Sequence, residues 1–332
     1  MEDPVKNLVN YPFDQYTRQA LVFILSKGIR EDSERLKIID LGGHKGITKN
    51  FFAKDQVSIL DVFDEKYPGY IKGDATNLIF EDNSFDLSVS FDTIEHIEPK
   101  FRDLFIKEAL RVSKKGFFMA APIDENGRVK EAENKANDLY KLLHGHSHKW
   151  LKEHIDLGIP DKNSIENVLK GKPYYFVSFR TNDLNLWFLF QSLIFLSELE
   201  QRAYKNLKKL QREFNEKFLE IDTEPEYAYR RIYFITENKT NIDKVVKTYK
   251  ELQKRTNKTA KSLFETKLIE EVVVELAKTV NENNLKIKQA NKTIININQQ
   301  LNTLQESIYG YENSLSWRLT KGLRATKKKL LN

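Results

Sequence analysis

"LKIIDLGGHKGI", residues 36–47, runs from an apolar stretch through one acid, Asp40, into a glycine-rich turn. A short apolar run that stops at a turn reads as a buried strand. Gly42, Gly43 and Gly46 allow a sharp turn whose backbone N–H groups can approach a ligand closely. The spacing is not the dehydrogenase G-x-G-x-x-G, since His44 and Ile47 hold the later positions, and the GK[ST] ending of a phosphate loop is absent. Alone, the turn implies a strand followed by a ligand-approaching loop.

Outward from this stretch the pattern alternates. The helical segment "YTRQALVFILSKGI" precedes it; "ITKNFFA", the strands "VSILDVF", "YIKGDA" and "FDLSVSFD", the helix "PKFRDLFIKEALRVS" and the strand "GFFMAAP" follow. Strands separated by helices predict a doubly wound, mostly parallel Rossmann-like α/β sheet with helices on both faces. Such sheets bind ligands beyond the carboxyl ends of their strands, where strand order reverses. "YYFVSFR" (174–180) and "AYRRIYFIT" (228–236) supply the last two strands. The body is expected over 1–240, with helical insertions at about 123–172 and 183–222 on the acceptor side. The apolar helix 184–200 reads most simply as a buried or pairing helix, with a lipid-facing role secondary, and the sequence does not decide between core, lid and interface.

The strand ends carry acids. Asp61 lies 21 positions after Asp40, where a carboxylate would meet the two hydroxyls of a ribose. Asp74, in "GDA", could accept from an adenine amino group, and Ser90, Phe91 and Asp92 end the fourth strand, with Glu95 and His96 just beyond. Any one Asp could equally be a helix cap. Taken in order, "DLGGHKG", "LD", "GDATNLIFEDNSFD" and "SFDTIEHIEP" resemble the class I S-adenosylmethionine-dependent methyltransferases over roughly the first 240 residues. The resemblance implies S-adenosylmethionine as cofactor. Asp40, Gly42, Gly43 and Gly46 would border its methionine part, Asp61 its ribose, Asp74 and Ala75 its adenine, and Phe91 and Asp92 its amino acid end. His44 replaces the commoner glycine. "YPFDQY", "AAPID" and "LYKLLHGHSHKWLKEHIDLGIPD" resemble methyltransferase domains of bacterial surface-polysaccharide gene clusters. That narrower resemblance implies a sugar hydroxyl of a growing or lipid-linked glycan as acceptor. A small molecule or protein acceptor is the alternative, and a non-catalytic coiled-coil scaffold for glycan-assembly enzymes is the reading outside enzymes.

Methyl transfer to a hydroxyl needs alignment, exclusion of water and removal of a proton. His96 and the cluster His144, His146, His148 and His154 are the near-neutral bases available. The cluster reads as a solvated loop, as an acceptor-side lid with His148 and His154 as catalytic candidates beside His96, or as a metal site. Against metal, Gly145 interrupts any helix that would align His144 with His148, and no H-E-x-x-H spacing occurs. No metal is therefore assigned, although Asp92, Glu95 and His96 form a D-x-x-E-H triplet similar to one that holds a divalent cation in some quinone-pathway O-methyltransferases.

The whole chain is 40% hydrophobic and 31% charged, with no cysteine, which excludes disulfides and thiolate metal sites. Residues 241–332 hold 18 Lys and Arg against 9 Asp and Glu, leaving the first 240 slightly acidic. Residues 241–268 are expected as a helical linker. Over 269–315 apolar positions step by 4 and 3, with Val, Ile or Leu at 273, 280, 287, 294, 301, 308 and 315 and Asn283 within the seam. This predicts a parallel two-stranded coiled coil and a homodimer. The ending "SWRLTKGLRATKKKLLN" reads as a basic amphipathic tail over 316–332, suited to an anionic membrane surface or a glycosyltransferase partner, or simply as a solvated face. No nucleic-acid recognition pattern appears. Without a signal peptide or an apolar run long enough to span a bilayer, the expected location is cytoplasmic, with peripheral contact at the inner face of the membrane.

Overall fold

A computed structural model of the chain describes residues 7–199 and 201–312, together with Ser314 and Thr320. Two units divide at 268/269, the first ending at Leu268 and the second beginning at Ile269.

The first unit is built on β1 (Lys37–Leu41), β2 (Gln56–Asp61), β3 (Tyr70–Lys72), β4 (Leu87–Phe91), β5 (Phe117–Pro122), β6 (Tyr175–Asp183) and β7 (Ala228–Thr236). They form one sheet in the order β3-β2-β1-β4-β5-β7-β6, parallel except for β7, which runs antiparallel to both neighbours. The doubly wound, mostly parallel sheet expected from the sequence is present. Strand order reverses between β1 and β4, so the loops after these strands diverge and open a crevice at their carboxyl ends.

Burial on both faces explains the apolar runs. Every residue of β4 and β5 is buried, as parallel sheets covered by helices require. On one face Ile39, Leu41, Phe117 and Met119 pack with Phe105 and Ile106 of α3 (Arg102–Arg111) and with Ile165 and Leu169 of α6 (Lys162–Leu169). The other face meets α1 (Phe13–Ser26) and α9 (Lys239–Gln253), where Phe179 of β6 lies 4.1 Å from Tyr249, centroid to centroid. The short α2 (Thr48–Phe51) follows the glycine turn.

The insertions form α4 (Arg128–His144), α5 (Lys149–Leu157) and α6 between β5 and β6, and α7 (Leu184–Ser197) and α8 (Gln201–Ile221) between β6 and β7. Polar caps fix where they start: Asp183 accepts the N–H groups of Asn185 and Leu186, and Asp161 accepts that of Ser164. α7 is apolar on all sides because it is packed on several. Phe190 stacks on Phe13 with centroids 4.5 Å apart, and Trp187 stacks on Tyr229 at 3.9 Å. Trp187, Gln191 and Ile194 line the crevice, so α7 is both core and part of its wall.

Residues 241–268 lie within the first unit: Val245, Tyr249 and Leu252 of α9 are buried, as are Phe264 and Leu268 of α10 (Lys258–Glu312). In the second unit, described helix runs to Glu312, and Ile287, Ile294, Ile297, Leu301, Leu304 and Ile308 are all exposed. Leu315 and the tail 316–332, apart from Thr320, lie outside the described residues. No helix among the described residues is long and apolar enough to cross a membrane.

Candidate active site

A crevice of about 630 Å³ lies at the carboxyl ends of β1 to β4. Of the nine residues the sequence proposed for the cofactor, Asp40, Gly42, Gly43, Asp61, Asp74, Ala75, Phe91 and Asp92 line it, whereas Gly46 does not. Gly46 sits at positive φ against the ring of Tyr67, turning the loop.

At Gly42 and Gly43 the loop after β1 leaves no room for side chains. Gly42 has φ +86°, and a Cβ there would overlap Thr93; one on Gly43 would overlap the carboxylate of Asp40. Asp40 is buried, and its Oδ2 accepts from Thr48 Oγ1 at 2.6 Å while Oδ1 has no partner among the described residues. Burial raises its pKa to about 7, against the Thr48 bond and the charge of Arg18. His44 donates its N–H to Asp61 Oδ2 at 3.0 Å, and its carbonyl accepts from Tyr67 Oη at 2.8 Å. These backbone bonds, which a glycine could also make, tie the β1 and β2 loops together, and the His44 ring adds a contact with Phe63, centroids 4.7 Å apart. Asp74 Oδ1 accepts from the N–H and hydroxyl of Thr76.

Asp92 directly follows β4 at φ +50°, in the left-handed region where Asp is tolerated better than most residues. Its carboxylate is clamped by Arg18 and, in two-pronged fashion, by Arg230 (2.8 and 2.6 Å), which also donates to Asn182 Oδ1 at 2.6 Å. Burial would raise the Asp92 pKa, but the two guanidinium groups outweigh it and hold the carboxyl below its usual range.

The other half of the crevice is formed by the insertions. His148 is the N-cap of α5: its Nδ1 accepts the N–H of Leu151 (3.4 Å), and its own N–H donates to Asn137 Oδ1 (3.0 Å). His144, His146 and His148 gather around the ring of Tyr140, with centroids 4.2, 5.5 and 4.9 Å away, while His154 is not among them, so the four histidines of 144–154 do not share one point. His154 meets His96 instead, Nε2 to Nε2 at 3.3 Å. The Nδ1 of His154 bonds both oxygens of buried Glu133 (3.0 and 3.2 Å), which also accepts from Tyr229 Oη at 2.7 Å. Burial disfavours charge on His154, yet the hydrogen bond and charge of Glu133, with Glu95 and Asp92 nearby, raise its pKa to about 9. Burial and the neighbouring His154 lower that of His96. Glu95 is fully buried, and burial together with the charge of Asp92 raises its pKa to about 8. The D-x-x-E-H triplet is therefore divided: Glu95 and His96 converge with His154, while Asp92 is held by arginines.

A family model described as "Methyltransferase domain" matches residues 51–120, the span from the end of α2 into β5 that carries Asp61, Asp74, Asp92, Glu95 and His96. That span of the chain matches a methyltransferase domain. Its cofactor is S-adenosylmethionine. Among solved structures, the chain is similar to an S-adenosylmethionine-dependent methyltransferase of Thermotoga maritima described as a possible histamine N-methyltransferase (12% identity, 68% of this chain and 91% of that one, TM-score 0.39). It is also similar to the YcgJ protein of Bacillus subtilis (12% identity, 65% and 96% covered, TM-score 0.37). No curated protein matches the chain.

The residues of the methyltransferase domain fit a sulfonium nucleoside. Side-chain-free backbone lies beside a buried carboxylate oxygen that has no partner among the described residues, and further carboxylates end β2 and follow β3. Sequence reading missed Arg18, Arg230, Glu133 and Tyr229. The available signals were a single arginine in the apolar run of α1 and an Arg-Arg pair inside the strand "YRRIYFI".

Proposed function

We propose that the methyltransferase domain transfers the methyl group of S-adenosylmethionine to a hydroxyl oxygen, and that the hydroxyl belongs to a sugar of a cell-surface polysaccharide or lipid-linked glycan. The observation that carries the reading is one crevice with two unlike halves. Strand-end carboxylates and glycine backbone form the first; Trp150, Trp187, Tyr229 and the His96–His154 pair stand along the second. Bound in the first half, the cofactor would supply an electrophilic methyl group on a positively charged sulfur. Asp61 would take ribose hydroxyls, Asp74 and Ala75 the adenine edge, and Asp40, Gly42 and Gly43 the methionine arm. Phe91 and Asp92 would border the amino acid end.

The second half suits a polar ring with apolar faces. Trp150 is 44% exposed and presents a flat surface for the C–H face of a sugar, with Gln191 as a hydrogen-bonding partner in the same wall. Glu95, His96 and His154 form its polar end, where an acceptor hydroxyl would be activated. His148 acts as a positioning residue, because it starts the helix that carries His154. Residues 269–312 would pair two copies through the exposed apolar seam, with the tail beyond contacting anionic membrane or a glycosyltransferase.

The test is label transfer from methyl-tritiated S-adenosylmethionine to lipid-linked or surface glycan, with protein and small-molecule acceptors run beside it. Label in glycan, reduced by Trp150→Ala without loss of cofactor binding, is expected. Label in the other acceptors alone overturns the glycan assignment.

A further inference from the structure

His96 and His154 are 58 positions apart in the chain, yet their Nε2 atoms face each other at 3.3 Å. The outer nitrogen of each ring looks toward a carboxylate. His154 Nδ1 bonds Glu133, and His96 Nδ1 lies 3.4 Å from Glu153 Oε1. The His154 nitrogen bonded to Glu133 carries the hydrogen in the neutral tautomer, leaving Nε2 a lone pair. His96 Nδ1 makes no hydrogen bond among the described residues, and in the tautomer that turns its hydrogen toward Glu153 the His96 Nε2 is a lone pair as well. Both inner nitrogens are then lone pairs aimed at one another, an arrangement that repels unless something positive lies between them.

A shared proton would satisfy the two rings but not Glu95. That side chain is fully buried, and neither of its oxygens has a hydrogen-bond partner among the described residues. A buried carboxyl group whose oxygens lack partners is costly. One donor atom each from Glu95, His96 and His154 lies within 4.8 Å of the other two. A single cation facing all three removes both penalties at once.

The distances fit a zinc-type ion. Zinc–nitrogen bonds of about 2.0–2.1 Å at a tetrahedral angle place two nitrogens roughly 3.3–3.4 Å apart. The separation found is 3.3 Å. A carboxylate behind each imidazole is the outer arrangement that fixes metal-bound histidines, and Glu133 is itself held by Tyr229. Two imidazoles with one carboxylate favour zinc-type ions over magnesium or calcium, which take oxygen ligands, and three protein ligands leave one position open. All three residues line the crevice, and the His96 side chain is 25% exposed to it.

We propose that Glu95, His96 and His154 bind one divalent transition-metal ion of the zinc type, with Glu133 and Glu153 orienting the two imidazoles and the open position directed at the acceptor oxygen. Binding of the ion stands on these residues alone. Its role, acidifying the acceptor hydroxyl, rests on the methyl-transfer reading above.

The test uses tag-free full-length protein, stripped with a chelator and titrated with Zn²⁺ alone by calorimetry, then with Co²⁺ for its visible spectrum. One Zn²⁺ per chain and the absorption bands of tetrahedral Co²⁺ are expected. Glu95→Gln and His154→Ala should each weaken Zn²⁺ by about 100-fold or more, and Glu133→Gln by about 10–100-fold. Glu95→Gln preserves shape, so it reports even if His154→Ala does not fold. Absence of Zn²⁺ binding by the wild type, or binding unchanged in Glu95→Gln, overturns the proposal. S-adenosylhomocysteine is titrated into the same stripped samples. Its binding without Zn²⁺ uptake removes the metal site and leaves the methyl-transfer reading, whereas Zn²⁺ uptake without its binding does the reverse.

Discussion

Replacing Arg230 by Met tests whether the Asp92 clamp holds the crevice together. Arg230 is 1% exposed, and its guanidinium donates twice to Asp92 and once to Asn182. Removing one member of a buried ion pair costs about 3–5 kcal/mol, because the remaining charge stays in a poorly solvated place. Arg18 remains as a second cation on Asp92, which puts the expected loss at the low end, about 3 kcal/mol. For a body of this size that corresponds to a fall in Tm of roughly 6–12 °C. Asp92→Asn alone should destabilise similarly, since it leaves Arg230 buried without its counter-charge. The double variant Arg230→Met/Asp92→Asn should recover part of the loss, with a coupling of about 1–3 kcal/mol. The assay is calorimetric melting of all four proteins under one buffer condition. If the two single losses simply add, to within about 0.5 kcal/mol, the clamp is not the cooperative unit described here.

Three other perturbations follow from named contacts. Burial, with a contribution from Asp183, raises the Asp222 pKa to about 7, and its Oδ2 has no partner among the described residues. Between about pH 4 and 7 the unfolded chain has lost this proton while the folded one keeps it, so Asp222 makes stability fall as pH rises through that window. Asp222→Asn keeps an acceptor for the N–H of Asp183 and should flatten that slope, raising stability at pH 8 by a few kcal/mol in denaturant melts; an unchanged slope would exclude Asp222 as its source. Gly43→Ala puts a Cβ into the Asp40 carboxylate and should abolish S-adenosylhomocysteine binding while secondary structure survives; unimpaired binding would contradict the loop geometry. Ile294→Asn with Leu301→Asn, both on the exposed seam, should turn a dimer into a monomer by sedimentation, and a monomeric wild type would remove the coiled-coil proposal.

The parts of the site that were readable in the sequence are local ones. Asp40 and Asp61 each follow a short apolar run directly, and Asp74 comes two positions after a short strand-like run, so strand pattern fixes their place at the sheet's carboxyl edge without knowledge of any partner. His154 was singled out only as a member of a histidine-rich segment; its partner His96 lies 58 positions away, and Glu133 lies 21 away on another helix. Nothing in "LHGHSHKWLKEH" distinguishes the histidine that turns inward from the one that caps α5. Helical phase decides it: His148 precedes the first turn, and His154 falls on the buried side with Leu151. Arg230 lies 138 positions from Asp92, and the sequence marks it only as a charge in a strand whose neighbours are buried. The antiparallel insertion of β7 between β5 and β6 is likewise invisible to periodicity, which cannot assign direction.

The most direct measurement is a calorimetric titration of S-adenosylhomocysteine into the full-length protein and its Asp61→Ala variant. One site per chain is expected in the wild type. Loss of two hydrogen bonds to a charged group should weaken the variant by about 100-fold or more. Absence of heat in the wild type, or equal affinity in the variant, would contradict the assignment of the crevice to a sulfonium nucleoside.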